Sequence, residues 1–127
     1  MEIPEGLRYT KEHEWVKVEG TSATMGITEF AQSELGDVVF VDLPSVGKVV
    51  KQKDSVCVVE STKAASDVYA PIGGTVSEVN AVLTNSPDLV NKSPYGEGWM
   101  VKFKGISPSD VDALLTPAQY KEHLGSR

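Results

Sequence analysis

The sequence lacks three features that mark large classes of protein. Cys57 is the single cysteine among 127 residues, so neither an internal disulfide nor a thiolate metal cluster can form. No apolar run approaches the ~20 residues that a membrane-spanning helix needs. The segment from Met1 to Glu5 shows neither the basic and apolar parts of a secretory signal nor the arginine-rich pattern of a transit peptide. We therefore expect a cytoplasmic location, in a bacterium, and no membrane partner.

Basic residues are also scarce. Twelve lysines and arginines face eighteen acidic residues, which gives a net charge of −6 without any basic block. Nucleic-acid binding needs a basic patch that displaces counterions, so no nucleic-acid partner is expected. The two histidines, His13 and His123, lie far apart in the sequence and suggest neither a metal site nor a catalytic triad.

What the sequence does contain is a series of short, valine-rich segments separated by turn signals. Alternation and β-branched residues predict five strands, at 14–18, 23–27, 38–41, 56–59 and 99–103. The first two flank Glu19-Gly20-Thr21-Ser22, which is typical of a hairpin turn. The pattern predicts a mostly β protein.

Three short helices complete the prediction. Thr28 is an N-cap candidate for a helix near 28–35, which Gly36 would end. Ser107 and Thr116 each place a capping hydroxyl before a proline at the first helical position. Gln119 stands three residues after Thr116, as in a capping box. Short C-terminal helices are therefore expected over about 108–125.

An internal repeat brackets the middle of the chain. Proline, glycine and valine recur 27 positions apart in Pro44–Val49 and Pro71–Val76, which predicts two similar turn-strand units. Between them, residues 55–70 read as strand, polar tip and strand, with Lys63 at the tip. Two equivalent halves joined by a lysine hairpin fit a flattened barrel or sandwich. Three matched positions could also arise by chance.

Lys63 stands among small residues, with Ser61 and Thr62 before it and Ala64 and Ala65 after it. A lysine presented on such a tip offers an amine that can form an amide, and an added acyl chain would become a long tether on a fixed pivot. The alternative is a solvated turn lysine, which is the commoner role of a lysine at such a place.

The sequence as a whole resembles the biotinyl/lipoyl carrier superfamily, and within it the H-protein family of the glycine cleavage system. The resemblance runs from end to end, on landmarks that follow one another in order: His13-Glu14-Trp15, Gly26-Ile27-Thr28, Ala31-Gln32, Leu35-Gly36-Asp37-Val38-Val39, Leu43-Pro44, Glu60-Ser61, Lys63-Ala64, Ala70-Pro71, Gly74, Val79-Asn80, Asn91, Ser93-Pro94-Tyr95 and Gly98-Trp99. It implies a single domain over 1–127 with a flattened antiparallel barrel-sandwich hybrid fold.

The resemblance also implies a modification at Lys63. Its amine would carry lipoic acid as N6-lipoyllysine, with the acidic Glu60 three residues before it and with Gly47 and Gly74 on either side of the hairpin. Biotinyl domains typically have methionine on each side of the acceptor lysine, whereas this chain has Thr62 and Ala64, which favours the lipoyl group.

Two positions depart from the family pattern near this site. Thr62 replaces a more usual valine, a near-isosteric change that should preserve the turn. Cys57 falls where a small residue is usual, and Val-Cys-Val-Val is typical of an interior strand, so we expect this cysteine to pack rather than react.

The implied activity is that of a carrier rather than an enzyme. A lipoate ligase or lipoyl transferase would attach the arm. A pyridoxal-phosphate decarboxylase (the P-protein) would load it with the aminomethyl group of glycine, the tetrahydrofolate-dependent T-protein would unload it, and the flavin-containing L-protein would reoxidise it. The carrier is expected to be a monomer. A relay module that donates lipoyl groups to other proteins is the alternative, and a non-lipoylated binding domain is a weaker one.

The family protects its loaded arm from water by folding it into a surface cleft. At the matching positions, Glu14 and Asp67 would attract the cationic amine, and Ile27 and Leu35 would offer apolar contact. Position 34, a histidine in some relatives, is Glu34 here. Glu14 and Asp67 could equally be solvated carboxylates at strand ends.

Overall fold

A computed structural model describes residues 1–126 as two antiparallel sheets and short helices. The strands are β1 (Arg8–Tyr9), β2 (Glu14–Glu19), β3 (Ser22–Ile27), β4 (Val38–Asp42), β5 (Val49–Val50), β6 (Ser55–Ser61), β7 (Ala65–Tyr69), β8 (Gly74–Val79) and β9 (Val101–Lys104). The helices are α1 (Glu29–Leu35), α2 (Val82–Asn85), α3 (Leu89–Lys92), α4 (Pro108–Asp112) and α5 (Pro117–Ser126).

The strands form one large sheet and one small sheet. The six-stranded sheet has the order β1-β2-β3-β9-β8-β5, and the three-stranded sheet has the order β4-β6-β7. Every strand pair is antiparallel, and the sheets do not close on themselves. The predicted mostly β architecture of barrel-sandwich type is confirmed.

The main apolar core holds the two sheets together. It contains fully buried side chains from the large sheet, such as Met25 and Phe103, and from the small sheet, such as Val59. Strands with one face on such a core alternate buried and exposed residues, which explains why the valine-rich pattern predicted them. A second cluster contains Tyr9 stacked on Tyr120 with ring centroids 4.6 Å apart, and it fastens α5 to the large sheet.

The helix predictions succeed where a cap is formed. The Thr28 hydroxyl accepts a hydrogen bond from the Ala31 amide at 3.2 Å and begins α1, and Gly36 ends it. Thr116 and Gln119 form the predicted capping box, with bonds of 2.9 and 3.2 Å. Ser107 is the N-cap residue of α4 and precedes Pro108, as predicted, but its hydroxyl caps no amide and bonds the hydroxyl of Ser109 instead. No helix within residues 1–126 is long and apolar enough to cross a membrane.

Two further details differ from the sequence prediction. The last strand begins at Val101 rather than at residue 99, because the Trp99 carbonyl accepts a bond from the Asn80 side chain at 2.8 Å. The helices α2 and α3 were missed; each has four residues and no side-chain cap, so the sequence carries little signal for them.

The two repeat units pair with each other. Val49 and Val50 of β5 lie opposite Thr75 and Gly74 of β8. The Gly47 amide donates to the Val76 carbonyl at 2.8 Å, and the Val76 amide returns a bond of 2.8 Å to Lys48. The two units therefore lie side by side in the large sheet, and the lysine hairpin lies between them along the chain.

Candidate functional site

The turn that presents Lys63 is held by its own backbone. Thr62, Lys63 and Ala64 connect β6 to β7, and the Ser61 amide donates to the Ala64 carbonyl at 2.8 Å. The Ser61 hydroxyl oxygen accepts bonds from the amides of Lys63 at 3.1 Å and Ala64 at 3.2 Å. Lys63 and its immediate neighbours in the turn are exposed. The arrangement is a fixed turn that presents an exposed lysine.

A second chain segment supports the turn from outside. The Thr62 amide donates to the Asp37 carbonyl at 3.0 Å. Asp37 is itself held on both sides by the Asn91 side chain, which donates to the Gly36 carbonyl at 2.8 Å and accepts from the Val38 amide at 2.8 Å. Asn91 is therefore a positioning residue for the lysine turn. In the sequence, Asn91 is only one landmark of the family resemblance, and no local pattern indicates this role.

Gly36 lies directly beside the lysine side chain. Its φ of +79° is a left-handed conformation that favours glycine. A Cβ built there would lie 3.3 Å from Cε of Lys63, so the absence of a side chain leaves room for the lysine stem. Among residues 1–126, Lys63 forms no ion pair. An exposed primary amine on a supported stem fits the attachment of an acyl group.

The other predicted modification-site residues lie at different distances from the turn. Glu60 is exposed on β6, directly opposite Ala65 of β7. Gly47 and Gly74 belong to the paired repeat units at the base of the hairpin. Gly47 has φ +95°, and a Cβ on Gly74 would lie 3.0 Å from the Lys104 carbonyl oxygen. Their geometry serves the pairing of β5 with β8 rather than contact with the lysine.

Glu14 is buried on β2, with only 3% of its surface exposed. Its carboxylate accepts a hydrogen bond from the Thr10 hydroxyl and one from the Tyr69 amide at 3.3 Å. Ile27 lies directly opposite Glu14 in the β2–β3 pair. Both sheets therefore contribute to this site. Strand β2 of the large sheet carries Glu14, and β7 of the small sheet supplies the Tyr69 amide.

Burial raises the pKa of Glu14 to about 7. Repulsion from Glu12 adds to the rise, and the bonds from Thr10 and Tyr69 oppose it. A carboxyl group with this pKa is partly ionised at neutral pH. An approaching cation would favour the ionised form and release the proton.

The Glu14 side chain lines a cavity of about 610 Å³. Four separate chain segments form its wall: Tyr9, Thr10, Lys11, Glu12 and Glu14; Gln52 and Lys53; Tyr69, Ala70 and Pro71; and Ala113, Leu114 and Leu115. The wall is partly apolar, with Pro71, Leu114 and Leu115, and it also includes two lysines, Lys11 and Lys53, beside the buried Glu14.

The other three residues predicted for the cleft do not line this cavity. Ile27 is 4% exposed and belongs to the core, and Leu35 packs against the core from α1. Asp67 is exposed on the outer face of β7 and accepts a bond from the Ser55 hydroxyl at 2.9 Å. Their roles toward a loaded arm stay predictions, and Glu14 is the one of the four that the structure places in a cavity.

Cys57 and the histidines have no catalytic arrangement within residues 1–126. Cys57 is 2% exposed, and burial raises the pKa of its thiol to about 12, which agrees with a packing role. The rings of His13 and His123 lie 5.8 Å apart although the residues are distant in sequence. No group of three or more metal-ligating side chains occurs among the described residues.

Comparison with protein families gives one match to a family model. The model described as "Glycine cleavage H-protein" matches residues 7–127, nearly the whole chain.

Curated proteins and a solved structure agree with that match. Proteins named "Glycine cleavage system H protein" are similar to this chain, from Opitutus terrae at 55% identity over 97% of this chain and 98% of the relative, and from Staphylococcus carnosus at 53% over 98% and 99%. A crystal structure of a glycine cleavage system H protein from Mycobacterium marinum superposes with a TM-score of 0.86 at 36% identity, covering 96% of this chain and 98% of that one.

Proposed function

The chain belongs to the glycine cleavage H-protein family, and from this premise we propose that it carries a lipoyl group on Lys63. It acts as the lipoyl carrier of the glycine cleavage system, shuttling the aminomethyl group of glycine between enzymes of that system. The observation that carries the proposal of Lys63 as the attachment residue is its exposed position on a turn fixed by backbone hydrogen bonds.

A covalently bound lipoyl group would supply the sulfur chemistry that accepts a one-carbon unit and two electrons. The chain's own residues would supply position and shelter. The turn around Ser61 fixes the pivot, and Gly36 leaves room for the lysine stem. Glu14 faces a cavity in which a cationic cargo would be screened from water, and the partly apolar wall would strengthen the charge contact.

The cation and Glu14 would be coupled through a proton. When the cavity holds no cation, burial disfavours the ionised carboxylate of Glu14 and its pKa is about 7. An ammonium group beside it would lower that pKa and complete the ion pair. Holding the cargo at neutral pH would therefore release part of a proton from Glu14.

The partners follow from membership of the glycine cleavage system. We propose that the chain serves the P-protein for loading, the T-protein for unloading and the L-protein for reoxidation, and that a lipoate ligase or lipoyl transferase modifies it. No general acid or nucleophile of its own is needed for these steps, which supports a carrier rather than an enzyme. The relatives named above are bacterial, which supports a bacterial setting, and we propose the cytoplasm as its location.

Intact-mass measurement tests the attachment residue. The chain is expressed with a lipoate ligase and lipoic acid, beside Lys63→Ala and, as a control lysine on β2, Lys17→Ala. The wild type and Lys17→Ala are expected to gain one lipoyl mass, and Lys63→Ala is expected to gain none. An adduct on Lys63→Ala would overturn Lys63 as the site. The lipoylated wild type should then support glycine–bicarbonate exchange by the P-protein, and unmodified protein should not.

A further inference from the structure

The outer face of the three-stranded sheet exposes two apolar side chains near the lysine turn. Val39 and Phe40 of β4 are 56% and 45% exposed, and the β4–β6 register shifts between Val38 and Phe40. Such a bulge on an edge strand interrupts regular pairing and re-aims side chains. Phe40 lies opposite Glu60, three residues before Lys63. The Phe40 face, defined as Val39, Phe40 and Glu60, therefore borders the strand that leads into the turn.

The small sheet that carries this apolar pair is acidic. Strands β4, β6 and β7 contain Asp42, Glu60 and Asp67 but no lysine or arginine, and all three carboxylates are exposed. None of the three forms an ion pair among residues 1–126. Lys48 lines a pocket together with Asp42. Asp42 lies two residues after Phe40 on β4, on the side away from the lysine turn. A partner that fits the Phe40 face would present an apolar recess with a basic rim.

The position of the Phe40 face indicates which of the enzymes that act on this carrier would dock there. Enzymes that load or unload the arm meet its far end, so they can dock at a distance from Lys63. An enzyme that acylates Lys63 must bring its reacting centre to the amine on the short lysine stem. Its contacts are therefore confined to the surface around the turn, where Phe40 and Glu60 lie.

We propose that the Phe40 face is the docking surface of the acyltransferase that modifies Lys63. The inference rests on the proposed function, because it takes Lys63 as the acceptor. In the step served, the neutral amine attacks the carbonyl carbon of an acyl adenylate. A C–N bond forms, the C–O bond to the phosphate breaks, AMP leaves with the electron pair, and the amine proton passes to water.

Acylation kinetics test the docking surface. Unmodified chain is titrated with purified lipoate ligase, ATP and lipoate, and adduct formation is followed by intact mass. For Phe40→Ser and Val39→Ser the KM for the chain is expected to rise about tenfold with kcat unchanged, because truncating an interface anchor weakens binding by about this factor. Val49→Ser is the matched control, since Val49 is 74% exposed but lies on β5 of the large sheet. Phe40→Leu should restore most of the affinity.

A binding measurement without catalysis completes the test. Lys63→Ala cannot be acylated and should inhibit modification of the wild type competitively, whereas Lys63→Ala with Phe40→Ser should inhibit about tenfold more weakly. Equal KM values for the Phe40→Ser, Val39→Ser and Val49→Ser variants would overturn the docking surface while leaving Lys63 as the site. A loss confined to glycine–bicarbonate exchange of lipoylated Phe40→Ser would assign the face to the decarboxylase and also overturn the inference. A wild type that is never acylated would overturn both proposals.

Discussion

The lysine turn and the Glu14 cavity are built in opposite ways. Lys63 is exposed on a turn that Ser61 closes within one hairpin, with further support from the Asp37 carbonyl. Glu14 is 3% exposed, and the amide that binds it, on Tyr69, is 55 residues away in the sequence. An anchor on the surface therefore has little effect on the stability of the fold. A group that holds charge out of water lowers that stability.

The largest difference is expected from removing the anchor. Arginine keeps the charge of Lys63 but is always protonated and cannot accept an acyl group under these conditions. Lys63→Arg should therefore abolish lipoylation and glycine–bicarbonate exchange. Because the side chain is exposed, the free energy of unfolding should change by no more than about 0.5 kcal/mol. Mass spectrometry, the exchange assay and urea unfolding check these outcomes, and measurable exchange by Lys63→Arg would contradict the anchor role.

The buried carboxyl group of Glu14 is expected to make the free energy of unfolding depend on pH. Glu14 has a pKa of about 7 in the folded chain, against an ordinary value of 4.5 in the unfolded chain, so between these values the folded chain binds more protons than the unfolded chain. Its contribution to stability is therefore full below pH 4.5 and is lost as the pH rises through 7. The shift corresponds to about 3 kcal/mol. Glu14→Gln should remove this dependence.

Urea unfolding of the wild type and Glu14→Gln between pH 4.5 and 8 measures this difference. The wild type should lose stability relative to the variant as the pH rises, with the steepest change between 4.5 and 7. Glu19→Gln is the matched control, because Glu19 is exposed and lies on the same strand, β2. Parallel stability curves for the wild type and Glu14→Gln would show that the folded-state pKa is ordinary.

Removing the Asn91 side chain, which supports the lysine turn, is expected to have an intermediate effect on stability and on lipoylation. Asn91→Ala removes the side chain that bonds Gly36 and Val38, and each buried partner left unsatisfied costs about 1–3 kcal/mol. Lipoylation should also slow, because the Thr62 amide depends on the position of Asp37. The exposed Asn85 provides the control variant Asn85→Ala. Unfolding and modification rates equal to those of Asn85→Ala would remove Asn91 from the lysine site.

The same contrast explains what the sequence could predict. The strands and the lysine turn follow from valine alternation, small residues and turn signals, all of which act locally. The support from Asn91 and the cavity around Glu14 join segments that are distant in the chain, and no local pattern encodes those contacts. Family resemblance predicted Glu14 as a cleft residue. Burial and the contact with Tyr69 required the structure, as did the separation of Asp67 from the cavity.

The smallest effect is expected from Asp67→Asn, on the rate at which the loaded arm loses its cargo. This rate distinguishes the Glu14 cavity from the exposed hairpin. The loaded form is prepared with the P-protein and glycine, and loss of its cargo is followed as ammonia release. Glu14→Gln should speed the loss about tenfold or more, because a buried charged hydrogen bond contributes about 1.5–3 kcal/mol. Asp67 is exposed and bonds Ser55, and an exposed ion pair contributes about 0.2–1 kcal/mol, so Asp67→Asn should speed the loss at most about fivefold.

Asp42 supplies the control for that measurement, because Val58 lies opposite both Asp42 and Asp67 in the small sheet and both carboxylates are exposed. A rate for Asp67→Asn above that of Asp42→Asn would show that the cargo contacts the outer face of β7. A rate equal to that of Glu14→Gln would mean that the cation is held at the exposed surface of the hairpin rather than in the cavity. Shelter from water would then come from the arm itself, and burial of Glu14 would need another explanation.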